Sequence, residues 1–303
     1  MTKPGPSSAP SASSGALAFT KMHGLGNDYV YISCFDQSVE GLDPPALARA
    51  VSDRHTGIGS DGLILIRPPD TPEADVRMEM YNADGSRGAM CGNGIRCVAK
   101  YAIEHGLVAR ADGDAAAVRI ATDRGVLMLE ATLHRGRVER VRVDMGPPIL
   151  RPADIPVSVA GDRCVRHRLR IGGEVFQMTC VSMGNPHAVI FVDSLGAIDL
   201  SRWGPALERD PLFPDRVNVH VATVQSRAEA TMRTWERGSG STRACGTGAC
   251  AVLVAGVLEA RLDRAAVIHL PGGDLEIEWS EDRGGPVFMT GSAVEVFSGR
   301  WPL

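Results

Sequence analysis

Two short cysteine-containing motifs carry the residue types best suited to chemistry. Cys91-Gly92-Asn93-Gly94 recurs 154 positions later as Cys245-Gly246-Thr247-Gly248, and an apolar run typical of a helix follows each copy. The match extends upstream, because Tyr81-Asn82 and Trp235-Glu236 each end nine residues before a cysteine. The repeat predicts two similar domains, each with one cysteine at a helix start.

A cysteine at a helix start can serve acid–base chemistry. The first N–H groups of a helix are unpaired and carry a partial positive charge, so they stabilise a thiolate and can hold a carboxylate. Glycine lacks a Cβ, which lets a ligand approach these N–H groups closely. We therefore expect a small acid to lie between the two helix starts, with Cys91 and Cys245 on opposite sides.

This arrangement suits inversion of an amino-acid α-carbon. Inversion removes a proton from one face and returns another to the opposite face, so one thiolate and one thiol can exchange the roles of base and acid. The helix N–H groups would stabilise the negative charge that develops on the substrate carboxylate. The motifs thus predict an amino-acid epimerase that uses Cys91 and Cys245 and needs no cofactor.

Other interpretations of the motifs remain open. One copy alone could be a tight turn that leads into a helix. A metal site or a thiol–disulfide redox site normally needs cysteines two apart, whereas Cys97 follows Cys91 by six positions and Cys250 follows Cys245 by five. No metal is expected, and the redox protein is kept as the second class. A noncatalytic amino-acid-binding protein would not need a thiol on both faces.

Composition supports a soluble, two-domain protein. A chain of 303 residues exceeds the size at which single cores stop growing, and a net charge of −4 gives no support for a nucleic-acid or membrane-surface role. The first fifteen residues, rich in Ser, Pro, Ala and Gly, are typical of a disordered tail rather than a signal peptide. With no export signal, the seven cysteines indicate a reducing, cytoplasmic location.

The local patterns predict an α+β fold with mixed or antiparallel sheets. Alternating residues predict strands around Met78 and Ile277, and turn signals at Asp123-Arg124-Gly125 and Gly172-Gly173 predict hairpins. Helices are predicted over 44–54, 93–104, 199–208 and 247–261. Four prolines within 145–156 mark an interdomain linker. We predict a tail over 1–16, a first domain over 17–145 and a second over 146–290.

The sequence resembles the diaminopimelate epimerase family from about Phe19 to its end. Five segments carry the resemblance in family order and spacing: Met22-His23-Gly24-Leu25-Gly26-Asn27-Asp28, Tyr81-Asn82-Ala83-Asp84-Gly85-Ser86, Cys91-Gly92-Asn93-Gly94, Ser182-Met183-Gly184-Asn185-Pro186-His187, and Trp235-Glu236-Arg237-Gly238 leading to Cys245-Gly246-Thr247-Gly248. The resemblance implies two domains, each a strongly curved sheet around a central helix, with the active site in the cleft between them. It also implies that residues 291–303 return to complete the first domain.

The implied reaction interconverts LL- and meso-2,6-diaminopimelate on the bacterial route to lysine and peptidoglycan, without pyridoxal phosphate or metal. Cys91 and Cys245 would be its acid–base pair. The family also implies a homodimer, by analogy only.

The resemblance assigns further residues to this site. The carboxylate next to the reacting carbon would meet Gly92, Asn93, Gly246 and Thr247; the reacting ammonium would bind Glu236; the distal end of the substrate would lie against Asn27, Asn82, Asn185, Asn218 and Arg237. His187 would lie beside the catalytic centre. Burial of Arg237 is expected, because a guanidinium binds a carboxylate through two parallel hydrogen bonds.

Each of these residues also has an ordinary structural interpretation. The asparagines could serve turns, Glu236 and Arg237 could form a surface ion pair, and His187 could be a hydrogen-bonded structural residue. Gly62 and Ser241 depart from relatives that carry glutamine and glutamate there. A proline racemase-like isomerase shares the expected fold, but its substrate would give the asparagine set and Arg237 no purpose.

Overall fold

The four predicted helices are confirmed. The computed structural model describes residues 15–108, 113–281 and 285–303, and within these ranges the helices are α1 (Pro44–Ser52), α2 (Gly92–Glu104), α3 (Leu200–Glu208) and α4 (Gly246–Leu258). α1 ends before the predicted Arg54 because the Asp53 carboxylate accepts hydrogen bonds from the N–H groups of His55 and Thr56. α4 ends before Arg261 because Ala260 adopts a positive φ of 59°.

Eighteen strands form one hydrogen-bonded sheet system. The first eight are β1 (Ala16–Gly24), β2 (Asn27–Ser33), β3 (Gly62–Arg67), β4 (Val76–Asn82), β5 (Arg87–Gly88), β6 (Ala115–Thr122), β7 (Gly125–His134) and β8 (Arg137–Asp144). The others are β9 (His167–Ile171), β10 (Glu174–Ser182), β11 (Pro186–Phe191), β12 (Asn218–Ser226), β13 (Glu229–Glu236), β14 (Gly240–Thr242), β15 (Ala265–Leu270), β16 (Gly273–Trp279), β17 (Val287–Gly291) and β18 (Val294–Pro302). The predicted hairpins are the β6–β7 and β9–β10 pairs.

The strands pair in two sets that repeat the same pattern. One runs β18-β1-β2-β3-β4-β6-β7-β8 and the other β9-β10-β11-β12-β13-β15-β16-β17, with β5 and β14 beside β4 and β13. Each has two parallel pairings, β2–β3 and β4–β6 in one, β11–β12 and β13–β15 in the other. These sets, with α1 and α2 or with α3 and α4, are called the first and the second domain. The predicted α+β class with mixed sheets and pseudo-symmetric domains is confirmed.

The two domains are linked through their strands as well as through the chain. β8 pairs antiparallel with β17, which makes the sheet continuous from one domain to the other. β18 runs antiparallel to β1 from Ala16↔Pro302 to His23↔Val294, so the last strand of the chain lies in the first domain. The predicted tail falls mostly on residues 1–14, outside the described residues, and Ala16 already belongs to β1.

α2 and α4 are the central helices, and their sequences explain their burial. Ile95, Val98 and Ile103 of α2 have no exposed surface, and the run Ala249–Ala255 of α4 is buried on every side. α2 also carries two buried cations, of which Lys100 bonds to the Glu104 carboxylate at 2.7 Å. α1 and α3 instead cover the outer cores of their domains. No helix in the described ranges is long and apolar enough to cross a membrane.

A turn of each domain packs against a segment of the other domain. Met183 and Gly184, which precede Asn185, lie against Arg124 in the β6–β7 turn; its guanidinium donates to the Met183 carbonyl at 3.3 Å. Conversely, Gly272 in the β15–β16 turn packs directly against the carbonyl of Leu25, just before Asn27. These reciprocal contacts fix the turns from which Asn27 and Asn185 extend.

Replacement of Gly272 by alanine should destabilise the protein. Its Cβ would overlap the Leu25 backbone, which cannot move aside as a flexible side chain could. We expect G272A to lower the free energy of unfolding by about 2 kcal/mol or more, as overpacking commonly does. Urea denaturation measures the change. The matched control is G196A, whose Cβ would lie no closer than 3.8 Å to its neighbours; equal stability of both variants would contradict the expected clash.

Candidate active site

The two cysteine motifs meet where the domains touch. Cys91 and Cys245 are the N-cap residues of α2 and α4, each with an extended backbone. The Gly94 N–H donates to Cys91 Sγ at 3.5 Å, and Thr247 Oγ1 lies 3.7 Å from Cys245 Sγ. Asn93 Nδ2 donates to the Ala244 carbonyl at 3.2 Å, which joins the two helix starts. Both thiols therefore lie at one interdomain site.

The glycines of the two motifs are needed for packing. A Cβ on Gly92 would lie 2.9 Å from Met289 Cε, and a Cβ on Gly246 would lie 2.9 Å from Met289 Sδ. Gly94 has Ile64 Cδ1 at 2.8 Å from the same hypothetical atom, while Gly248 is covered by the His220 ring. The sequence interpretation assigned these glycines to ligand approach alone; the structure adds Met289, which packs between the helix starts.

In the first domain, the Asn27 side chain contacts Cys91. The Cys91 thiol donates to Asn27 Oδ1 at 3.3 Å, and Asn27 Nδ2 donates to the Asp61 carboxylate at 2.8 Å. Because a carboxylate only accepts, Asp61 fixes the amide with its oxygen towards the thiol. Asp61 itself is held by the Arg54 guanidinium at 2.9 Å. Asn27 thus has a defined orientation at the site.

Asn82 ends β4 at the position that corresponds to Glu236 at the end of β13. Its Nδ2 donates to Ser86 Oγ at 2.9 Å and its N–H donates to the Ser86 carbonyl at 2.8 Å. Asn82 thus stabilises a turn, which is the structural role that the sequence analysis gave as the alternative to substrate binding. Gly62 pairs with it across β3 and β4, and a Cβ at Gly62 would overlap the Tyr81 carbonyl. A side chain at Gly62 would therefore require the local backbone to shift.

The second domain places Glu236 and Asn218 together. Glu236 Oε1 accepts from the Thr242 hydroxyl. Asn218 is 4% exposed, donates to the Pro186 carbonyl at 2.9 Å and accepts from the Arg237 N–H at 3.0 Å. Ser241 lies in β14, where it pairs with Trp235 of β13, and is exposed.

The expectation that Arg237 is buried is wrong for this structure. Its side chain is exposed, and Nη1 donates to the Asp215 carbonyl at 2.8 Å. The chain turns outward directly after β13, where Gly238 has a positive φ of 79°, so the guanidinium lies along the surface. No ion pair joins Glu236 to Arg237 among the salt bridges of the described residues.

His187 belongs to a buried chain of hydrogen bonds. Its Nε2 lies 3.0 Å from Asn185 Oδ1 and its Nδ1 lies 2.8 Å from His220 Nε2; His220 Nδ1 lies 3.0 Å from Thr234 Oγ1. An amide oxygen only accepts, so His187 Nε2 carries a proton and, in the neutral ring, Nδ1 accepts from His220. Asn185 Nδ2 then donates to Thr247 Oγ1 at 3.4 Å. The chain thus orients the hydroxyl next to Cys245.

Burial controls the charge of the groups in this site. It lowers the pKa of His187 well below its usual value and that of His220 to about 3, so both rings are neutral at pH 7. Burial likewise raises the pKa of Glu236, although its hydrogen bonds oppose the rise. The pKa of each thiol is also raised by burial, which outweighs the helix N–H groups, and the pKa of Cys245 is raised well above the ordinary value, further so by Glu236.

Several residues of the site were not found from the sequence. They are Asp61, Arg96, His220, Thr242 and Met289. Only Arg96 gives a signal, since it is a charged residue inside the apolar run that follows Cys91. Asp61, His220 and Met289 lie far from the motifs in sequence, and only the fold brings them near; Thr242 lies three residues before Cys245, and its contact with Glu236 depends on the pairing of β14 with β13. No group of three or more His, Cys, Asp and Glu side chains in the described part of the chain could hold a metal ion.

Solved structures share this fold at low sequence identity. A probable proline racemase from Agrobacterium radiobacter aligns with a TM-score of 0.66 and 17% identity over 93% of this chain and 92% of its own. A phenazine biosynthesis protein of the PhzF family from Bacillus anthracis aligns with a TM-score of 0.67 and 13% identity over 95% and 99%. These structures show a shared duplicated two-domain fold, and in this chain a cysteine lies at the start of each central helix.

Sequence relatives identify the family. The profile described as diaminopimelate epimerase matches residues 19–150 and 179–296. Diaminopimelate epimerase from Acetivibrio thermocellus is 50% identical over 95% of this chain and 99% of its own length, and that from Agathobacter rectalis is 49% identical over 93% and 98%. The chain belongs to the diaminopimelate epimerase family.

The buried histidines should make stability depend on pH. The folded-state pKa of His220 lies below its unfolded value of about 6.5. The contribution of His220 to the free energy of unfolding is therefore complete above about pH 6.5 and is lost as pH falls towards 3. Between pH 7 and pH 5, the wild type should lose about 2 kcal/mol more unfolding free energy than H220Q, which can keep polar contacts but does not titrate. Urea denaturation at both pH values gives the difference, in which the shared effects of the other histidines cancel. Parallel losses in both proteins would refute the assignment.

Proposed function

We propose that this protein interconverts LL- and meso-2,6-diaminopimelate by a two-base mechanism, with Cys91 and Cys245 as the acid–base pair. The observation that carries the proposal is the meeting of the two cysteine-capped helices at the Asn93–Ala244 hydrogen bond. The relatives named diaminopimelate epimerase, which are about 50% identical to this chain over nearly its full length, support diaminopimelate as the substrate.

The helix starts provide the site for the reacting carboxylate. The N–H groups of Gly92, Asn93, Gly246 and Thr247 at the helix starts would bind it, and the positive ends of α2 and α4 would stabilise the charge that moves onto it when the α-proton leaves. One sulfur removes the α-proton as a thiolate. The other, on the opposite face, gives its own proton to the carbanion, and the two cysteines end with their protonation states exchanged.

Glu236 is suited to bind the reacting ammonium. The carboxylate lies close enough to both thiols to raise the pKa of each, so a bound ammonium would offset its negative charge. Neutralisation would lower the pKa of Cys245 most, because Glu236 is the largest cause of its rise after burial. Substrate binding would thus favour ionisation of Cys245 to a thiolate once the substrate is in place.

Asn27, Asn82, Asn185, Asn218 and Arg237 are proposed to hold the distal end of the substrate. Arg237 would have to turn inward from its exposed position to bind the distal carboxylate through two hydrogen bonds. His187 is proposed to act beside the catalytic centre, where it fixes Asn185 and, through Asn185, the Thr247 hydroxyl.

The wider setting follows from the same proposal. We propose a cytoplasmic homodimer that acts on a small molecule in lysine and peptidoglycan precursor synthesis, with no nucleic-acid or membrane partner and no cofactor. The first domain would comprise residues 17–145 and 291–303, and the second domain would comprise residues 146–290. The segment between β8 and β9, which includes the 3₁₀ turn Pro152–Asp154, would link them.

The proposed reaction predicts α-proton exchange that requires both thiols. Reduced protein without added cofactor should exchange the α-protons of LL-diaminopimelate in deuterated water and form the meso isomer, as proton NMR can follow. C91A and C245A should each lose epimerisation at least about 100-fold, because each removes the acid–base group of one face. C34A, which removes a cysteine outside the motifs, is the control. Exchange of proline instead would favour the racemase-like alternative, and wild-type turnover by C91A or C245A would reject the two-base scheme.

The proximity of the helix starts also predicts a reversible inactivation. Treatment with diamide should oxidise Cys91 and Cys245 to a disulfide, with two electrons passing to the diamide, and dithiothreitol should restore activity. Peptide mass spectrometry identifies the crosslink, and C245A supplies the sample that cannot form it. Full activity after exhaustive oxidation would contradict the proposed proximity.

A further inference from the structure

The duplicated helices differ at one buried position that bears on the two thiols. Arg96 follows Cys91 by five residues in α2, and Cys250 follows Cys245 by five residues in α4. Both side chains have no exposed surface. The two domains therefore place a cation and a neutral thiol at equivalent positions below their helix starts.

Arg96 is held entirely by neutral groups. Its guanidinium donates to the Gly92 carbonyl at 3.1 Å, to Asn93 Oδ1 at 3.1 Å and to the Ser292 carbonyl at 3.2 Å, and it contacts Met289 Sδ at 3.7 Å. Among the described residues, no carboxylate lies within ion-pair distance of it. A guanidinium stays protonated at neutral pH, so the first domain contains an uncompensated positive charge.

We propose that Arg96 makes Cys91 the more acidic of the two thiols in the free protein. In the free protein Cys91 then ionises first, while Cys245 stays protonated. This inference rests on the two-base function proposed above and names a buried cation that contributes to the asymmetry of the pair. Arg96 acts through Cys91 and is a positioning residue, since its guanidinium faces α2 and the β17–β18 segment.

The other groups around the thiols act beside Arg96. Each sulfur has backbone N–H groups of its own helix nearby, and Glu236 disfavours ionisation of both thiols, of Cys245 more than of Cys91. Asn27 Oδ1 accepts from Cys91, and the buried Tyr29 phenol of β2 also interacts with it; Thr247 faces Cys245. Of these contacts, Asn27 favours the protonated Cys91 thiol, but it is a neutral dipole, whereas Arg96 carries a full charge in a poorly solvated interior.

The directions of the two pKa shifts agree with this geometry. Burial raises the pKa of Cys91, while the N–H groups of Gly94 and Asn93 and, to a smaller extent, Arg96 lower it; burial and Glu236 raise the pKa of Cys245 well above its ordinary value. The neighbouring cation of α2, Lys100, bonds to Glu104 and cannot supply the same field.

The test measures the ionisation of each thiol without substrate. Full-length reduced protein is pulsed with iodoacetamide from pH 6 to pH 10, and peptide mass spectrometry gives the alkylation rate of Cys91 and Cys245 separately. The midpoint for Cys91 should lie at lower pH. In R96M it should rise by at least about 1 pH unit, a tenfold loss of thiolate, with a smaller change at Cys245. R96K should retain most of the wild-type order.

Two controls separate charge from structure. K100M removes a buried cation from the same helix and should leave the Cys91 midpoint unchanged. If R96M does not fold, the wild-type order and a 240 nm thiolate titration of C245S still decide the question. Earlier ionisation of Cys245 in the wild type, or an unchanged Cys91 midpoint in folded R96M, would overturn the proposal. The absence of epimerase activity with the expected alkylation order would instead reject the proposed function alone.

Discussion

The contact between the N-termini of α2 and α4 is the constraint on which the site depends. Each terminus carries a partial positive charge, and like ends of two helix dipoles repel each other. The Asn93–Ala244 hydrogen bond and the packing of Met289 against Gly92 and Gly246 hold them together despite this repulsion. An anion between the two termini would relieve it, which explains why a duplicated fold of this kind suits a carboxylate substrate.

Burial sets the chemistry that this contact permits. The same exclusion of water that strengthens the helix dipoles keeps Cys91, Cys245 and Glu236 towards their neutral forms and the histidines uncharged. Without a bound ligand, the thiols and Glu236 therefore favour their protonated forms. In the proposed mechanism, the charges that activate them would come from the zwitterionic ligand and from fixed groups such as Arg96, so recognition and activation would be parts of one electrostatic event.

The sequence was sufficient for the features that repeat locally. Apolar periodicity located all four helices, and the duplicated motif predicted the pseudo-symmetric domains and the two N-cap cysteines. Contacts between strands that are distant in sequence could not be predicted. His220 reaches His187 through the β11–β12 pairing, and Met289 of β17 reaches both motifs. The outward direction of Arg237 depends on the backbone after β13, which a sequence motif does not specify. The roles of the individual site residues remain proposals.

The pairing of the last strand with the first has a consequence for synthesis on the ribosome. Domains commonly fold in the order in which they emerge, but the first domain here lacks β18 beside β1 until residues 294–302 are translated. The carbonyl of Ser292 that holds Arg96 and the side chain of Met289 at the helix starts arrive equally late. The first domain must therefore wait for residues 289–302 to emerge before its own thiol acquires its final surroundings.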